Sequence, residues 1–456
     1  MKNSTVTQLS HSRGKLTQGS VGIQLIRLVL PTAWGMFAAV AFNLVDTYFV
    51  GQLGTEALAA ISFTFPVVTT LMSLFIGLGT GAAAVVSQAI GAADRSRARR
   101  LSVDSLLLSL GILCLLVCLG LNTIDPLFSV LGAEPDLLPL IHDYMEIWYW
   151  GMACVAIPMV GNSLLRSAGN ALGPSLIMTV AVVVNLFLDP LLIFGRAGLP
   201  ALGITGAALA TVMARAITLI AVLLVLYHRE QILSFSLPTV TMLWQSWRQI
   251  LHVGLPAMAT GMMMPVFTGV IMVMVAAYGA IAIAGFGIAL RIEAVIQTML
   301  MALSVGLSPF VGQNWGAQNY ARIGRASQLC YWFCLGWGGL AAVALGLART
   351  DLVGEFNTDP AVIAISATYL AIVPISYAAV GAILVVSALL NASGHPRAAM
   401  VINLSRMFGL CIPLAYLGSQ ILSIKGIFAA VCLSNIVVAV GAVFYTQHIP
   451  QLLSTK

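Results

Sequence analysis

VSQAIGAADRSRARR, residues 86–100, returns at 311–325 as VGQNWGAQNYARIGR. Val, Gln, Gly, Ala and two arginines coincide when the chain is shifted by 225 positions. The same frame puts Leu30-Pro31 on Leu255-Pro256, Gly54 on Gly279, Tyr144 on Tyr369, and Leu164-Leu165 on Leu389-Leu390. After a two-residue deletion, Pro190 falls on Pro413 and Gly203-Ile204 on Gly426-Ile427. One frame held over most of the chain means a duplicated structural unit.

Composition says what solvent that unit uses. Of 456 residues, 60% are hydrophobic and 8% charged, and mean hydropathy is +0.99. A soluble domain carries about 25% charged residues, so a water-soluble globule is excluded. Disorder is excluded too, because it needs low hydrophobicity and high charge. The apolar runs are long and continuous, as at 101–121 and 203–226, which is helix and not the alternating pattern of a β-barrel. The fold expected is all-α: a polytopic membrane protein of twelve transmembrane helices in two pseudo-symmetric six-helix lobes. Residues 1–24 read as a cytoplasmic N-terminal segment and 25–227 as the first lobe. Residues 228–248 read as a cytoplasmic linker, 249–448 as the second lobe, and 449–456 as a cytoplasmic tail. Ala39-Val40-Ala41 resembles a signal-peptidase site, but 25–50 is long enough to span and is repeated later, so cleavage is not expected.

Charge orients the spans. Fifteen of the 21 Lys and Arg fall on the side that carries both termini, including Arg95, Arg97, Arg99, Arg100, Arg322 and Arg325. The positive-inside rule puts that side in the cytoplasm. The net charge of +6 is therefore a topology signal, and no nucleic-acid partner is expected. Each unit holds an even number of spans, so the lobes share one orientation, as in transporters that rock one repeat against the other.

Ionisable groups inside spans cost roughly 2.5–3.5 kcal/mol at the bilayer centre, so each is a functional candidate. Asp46, Asp189 and Glu293 are the acids that matter, while Asp104, near a span end, reads as interfacial. Asp46 lies nineteen residues after Arg27, roughly 28 Å along its helix. Asp189 lies near the outer end of a span of the same direction, so the two share a depth. Asn185, four residues before Asp189, and Asn43, three before Asp46, are placed on the same faces. Pro190 frees the carbonyl of Leu186 beside them. In the second half these acids fall on Ile271 and Ile412, so the scaffold itself needs no carboxylate there. Two nearby carboxylates in low dielectric cannot both stay charged cheaply, which makes a site that binds a proton. Sodium fits the same hard oxygen ligands.

Pro31 permits a bend in the first span and is read as a hinge, though a static kink fits equally. Gly77, Gly79 and Gly81 read as close helix packing. Arg291 and Glu293, two apart, point to different faces, and the sequence names no partner for either. Methionines crowd the seventh span, from Met258 to Met274, and read as packing. The seven cysteines read as buried packing. No P-loop, nucleophile elbow or metal spacing is present, so no enzyme, cofactor or metal site is expected. Without a nucleotide site, an ion gradient must supply energy: one charge crossing ~100 mV provides about 2.3 kcal/mol, a roughly 50-fold concentration ratio.

LPTAWGMFAAVAFNLVDTYFVGQLG (30–54), the VxQxxGA pair, NLFLDPLLIFG (185–195) and ALRIEAV (289–295) together resemble the multidrug and toxic compound extrusion (MATE) family, in its DinF-like branch. The resemblance spans roughly 21–448. It implies efflux of small-molecule drugs and amphipathic, often cationic compounds by a monomer in the bacterial cytoplasmic membrane, coupled to H+ or possibly Na+. It implies Asp46, Asn185 and Asp189 as the coupling and binding centre, with Tyr144 and Asn162 as lining positions five turns apart. The acids of the NorM-like branch fall on Met264 and approximately Gly381, which shifts the expectation towards proton coupling through the first lobe. Two other readings stay open. A lipid-linked precursor flippase would need a strongly cationic cavity, and a passive channel would need no exchange.

Overall fold

The computed structural model describes residues 14–198, 200–233 and 239–453, so Lys2, Arg13 and Lys456 lie outside the described residues. The described chain is helical, without strands. The first half contains α1 (Val21–Gly51), α2 (Thr55–Gly91), α3 (Arg95–Val130), α4 (Leu138–Gly151), α5 (Ala153–Ser167), α6 (Leu172–Ile193) and α7 (Gly203–Leu224). The second contains α8 (Val240–Ala276), α9 (Ala280–Gly316), α10 (Tyr320–Gly354), α11 (Pro360–Ile372), α12 (Tyr377–Ala392), α13 (Pro396–Leu404) and α14 (Ile412–Leu453). This is a multi-pass membrane protein.

Four details depart from a plain count of spans. The fourth span is divided at Met152 into α4 and α5, although Met152 keeps helical φ/ψ (−59°, −28°), and Gly151 lies against Val212 of α7. Its repeat mate, the tenth span, breaks at Val373–Ser376, where Pro374 removes a backbone donor. α14 folds back at Ser423 (φ 53°, ψ −140°), so it supplies the outer part of the eleventh span and all of the twelfth. Gly418 and Gly426 then lie backbone to backbone across that turn, as no side chain would allow. The fourth departure is in the linker. α8 begins at Val240, inside the segment read as loop, and Trp247 there donates its indole N–H to the Asp104 carbonyl at 3.0 Å. Asp104 is correspondingly fully buried. Cys114 and Cys118 are exposed on α3, whereas Cys330, Cys334, Cys411 and Cys432 are buried.

The apolar residues form one large core in each half, with a reciprocal exchange. Leu25, Leu28 and Val29 of α1 pack in the second-half core, and Ile250 and Met258 of α8 pack in the first-half core. The exchange is pseudo-symmetric, since Leu25 and Ile250 are repeat mates.

The lobes meet at the end carrying the basic clusters, here called the basic end. The two VxQxxGA motifs cross there. A Cβ on Gly91 would overlap the carbonyl of Gln313, and one on Gly316 would overlap the carbonyl of Gln88. Each glutamine reaches into the other lobe. Gln88 donates to the Ala392 carbonyl at 2.7 Å, and Gln313 donates to the Ser167 carbonyl at 2.7 Å. Ser167 and Ala392 are themselves repeat mates, so the latch has the symmetry of the sequence. Residues 14–20 add an asymmetric strap across it. Leu16 N–H donates to Gln313 Oε1 at 3.0 Å, and Asn314 donates to the Leu16 carbonyl at 3.1 Å. Arg322 donates to the Gly19 carbonyl at 2.8 Å, and Lys15 pairs with Glu230 at 3.4 Å. Leu16 and Thr17 are buried, so part of the polar segment is an inter-lobe seal.

Valine at Gly316 forces α2 and α9 apart at this crossing. Overpacking of this kind costs about 1–3 kcal/mol. Gly316→Val is expected to lower the thermal midpoint of the purified protein. It should also expose a cysteine introduced by Ser87→Cys, buried in the latch, to a charged maleimide. Unchanged labelling would mean that the crossing tolerates the side chain.

Candidate functional site

α1 and α6 run side by side away from the basic end. They are tied where Trp34 donates to Thr179 Oγ1 at 3.0 Å, and where Gly35 lets α1 rest on the backbone of Ser175. Asp46 follows Trp34 by twelve residues, about 18 Å of helix, and Asp189 follows Thr179 by ten, about 15 Å. The two carboxylates therefore reach a common depth, within electrostatic reach of each other. α7 runs back antiparallel, its start fixed by Leu202 N–H donating to the Leu192 carbonyl at 3.0 Å.

Asp189 and Asn185 are fully buried on one face of α6, and Asn185 Nδ2 donates to Asp189 Oδ1 at 2.8 Å. Asp189 Oδ2 and Asn185 Oδ1 are buried acceptors that no donor reaches among the described residues. Asp46 is half-buried and accepts from Thr211 Oγ1 of α7 at 3.4 Å. Arg215, one turn along α7 from Thr211, faces Asp46 and stacks its guanidinium over the Phe42 ring at 4.3 Å. Tyr144 of α4 is buried beside both acids. The fully ionised set carries two negative charges and one positive, a net charge of −1. One proton or one monovalent cation restores neutrality.

The remaining expected site residues, Asn43, Asn162 and Pro31, are not in contact with the acids. Asn43 is exposed and makes no side-chain hydrogen bond to either acid among the described residues. The inward residue is Phe42, because four residues bring a side chain back over Asp46 more closely than three do. Asn162 lies on α5, towards the basic end. It is eighteen residues, roughly 27 Å of helix, beyond Tyr144, and its Oδ1 is a buried acceptor that no donor reaches among the described residues. Pro31 lies within α1, between the stretch packed in the second-half core and Phe42, which packs on Ala181 and Ala214. Thr211 and Arg215 were not singled out in the sequence. Their signal was present, since they are four apart on one face and Arg215 is an ionisable group inside a span.

The second lobe has a smaller polar centre. Glu293 accepts from Tyr369 Oη and from Gln297 Nε2, and Arg406 faces it across the interior. Tyr369 is the repeat mate of Tyr144, so the duplicated tyrosine meets a carboxylate in both lobes, with the acid supplied from different helices.

Two duplicated helical lobes, closed on each other at one end around buried charge, define a membrane transporter and not an enzyme. The comparisons agree. The MatE family model matches residues 31–191 and again 256–417, once in each half, so the chain belongs to that family. Over 439 residues the chain is 38% identical to the FAD transporter of Shewanella oneidensis, covering 96% of this chain and 97% of that protein. It is 25% identical over 425 residues to the multidrug export protein MepA of Staphylococcus aureus, covering 92% of each. The Vibrio cholerae MATE transporter VcmN, in its bent form, superposes with a TM-score of 0.89 at 29% identity, covering 94% of this chain and 96% of that one.

Removing the donor to Asp189 tests the geometry. Asn185→Leu leaves a buried carboxylate without its hydrogen bond, at a cost of about 1–3 kcal/mol. The thermal midpoint of the purified protein should fall, and Asn185→Gln should recover part of the loss. Equal stability of the leucine variant and the wild type would contradict the pairing.

Proposed function

We propose that the chain is a proton-driven antiporter of the bacterial cytoplasmic membrane, with both termini inside, that exports amphipathic small molecules by alternating access. The observation that carries the reading is the charge count in the first lobe. Arg215 faces Asp46, and no cation faces Asp189 among the described residues, so the two acids together are one positive charge short of neutral. A proton fills that deficit at the acceptor oxygens that no donor reaches, Asp189 Oδ2 being the most enclosed. The oxygen set also suits Na+, and the pH gradient is the favoured drive because Arg215 already occupies one side of Asp46.

The coupling runs through α1. Its first turns belong to the second-half core, and its outer half carries Phe42 and Asp46 into the first lobe, with Pro31 between them. Protonation of Asp189 removes its repulsion of Asp46. The outer half of α1 is then free to repack about Pro31, which shifts one lobe against the other and releases cargo. A passive channel needs neither an acid pair nor a counter-charge held against one of its members.

Two cargo classes have support. The resemblance to multidrug exporters such as MepA supports amphipathic cations. The FAD transporter is more similar, at 38% identity against 25%, and supports an anionic aromatic dinucleotide.

In proteoliposomes, an imposed pH gradient should drive ethidium uptake, and a sodium gradient without a pH difference should not. Asp46→Asn and Asp189→Asn should each reduce uptake to background while inserting and purifying normally. Wild-type exchange in Asp46→Asn would overturn the proposal, and uptake driven by sodium alone would replace the proton by sodium.

A further inference from the structure

Arg291 has no hydrogen-bond or ion-pair partner among the described residues, although it lies well inside α9 and is exposed. An uncompensated guanidinium facing hydrocarbon is costly, so the direction in which it points matters. The packing of α9 answers this. At the basic end, Gly312 and Gly316 of α9 lie against Ser87 and Gln88 of the first lobe, and Gly306 lies against Val29. Gly316 is 25 residues beyond Arg291, about seven turns, and Pro309 is 18 beyond it, about five turns. Arg291 therefore stands on the face of α9 that is buried against the first lobe lower down, at the level where the lobes have parted. Ala284, Ala294 and Val295 around it are exposed as well, so this face of α9 is uncovered here, and its alignment with the crossing below directs it to the space between the lobes.

Nothing nearby on α9 neutralises the charge. Glu293, two residues on, turns into the second lobe to Tyr369 and Gln297. The repeat mate of Arg291 is Pro66, also exposed, so the duplicated scaffold does not require an arginine here. On α8, Met258 packs on Gly77 of α2, and Met262, one turn on, is 40% exposed. α9 therefore presents a planar five-donor cation, and α8 presents an exposed soft apolar side chain. A guanidinium matches phosphate or carboxylate oxygens two at a time, and methionine accepts an aromatic ring.

We infer that Arg291 is an anion anchor in the inter-lobe cleft, and that the cargo includes aromatic molecules bearing a phosphate or carboxylate. The inference rests on the antiporter reading for its cleft and deepens that reading by naming a cargo chemistry.

The test uses purified full-length protein in detergent with no gradient. Binding is followed by the fluorescence of flavin mononucleotide, of neutral riboflavin and of ethidium. Arg291→Ala should weaken flavin mononucleotide binding about tenfold, as expected for loss of a charge-assisted pair. Riboflavin binding should change less than about twofold, as expected for a ligand lacking the charged group. Arg291→Lys should fall between wild type and alanine. Arg291→Glu should weaken the nucleotide further and tighten ethidium. If the alanine variant aggregates, Arg291→Gln decides in its place. Wild-type protein that binds no flavin mononucleotide, or an Arg291→Ala variant that keeps it or loses riboflavin equally, overturns the anchor. If pH-driven ethidium uptake persists alongside that result, the antiporter reading stands without the anchor. Arg291-dependent nucleotide binding with no gradient-driven uptake by the wild type would leave the anchor and remove the antiporter.

Discussion

The crossing of α2 and α9 is the constraint from which the remaining geometry follows. Two glycines without side chains let the helix backbones touch, and two glutamines close the contact by donating into the opposite lobe. Because the crossing lies at one end, the lobes are free to part at the other. A helix face buried at the latch becomes a cleft wall a few turns later. The strap of residues 14–20 breaks the symmetry of this closure, since it uses Gln313 and Asn314 of the second motif without an equivalent on the first.

Within this frame the lobes do different work. Both retain the duplicated tyrosine, and both set it against a carboxylate. In the first lobe one arginine faces one of two acids, and buried acceptor oxygens have no donor among the described residues. In the second lobe one glutamate takes two donors and faces one arginine, a balanced count. The imbalance in the first lobe is what suits it to take up a cation, whereas the second centre is suited to hold its helices together. α1 belongs to both cores, so a change of charge at Asp46 reaches the second lobe along a single helix.

Much of this was legible in the residues. The repeat could be read because each position of the latch needs a residue type that few others replace: glycine for contact and glutamine for reach. Asp46, Asn185 and Asp189 stood out because a carboxylate in hydrocarbon is expensive and has no structural mate in the second half. Asn43 is exposed, because a four-residue step brings Phe42 back over Asp46 more closely than a three-residue step brings Asn43. The burial of Asp104 was not legible, because it comes from α8, whose early start lies in polar sequence carrying two tryptophans.

The sequence alone determined the solvent, the duplication and which charges required an explanation, because each of these depends on composition and period. Tertiary structure decided which groups share those charges. Thr211 and Arg215 meet Asp46 only because α7 folds back beside α1, and Glu293 meets Tyr369 only because α11 packs on α9. It also left Arg291 facing the gap between the lobes, since that direction depends on where α9 touches its neighbours and not on the residues beside it in the chain.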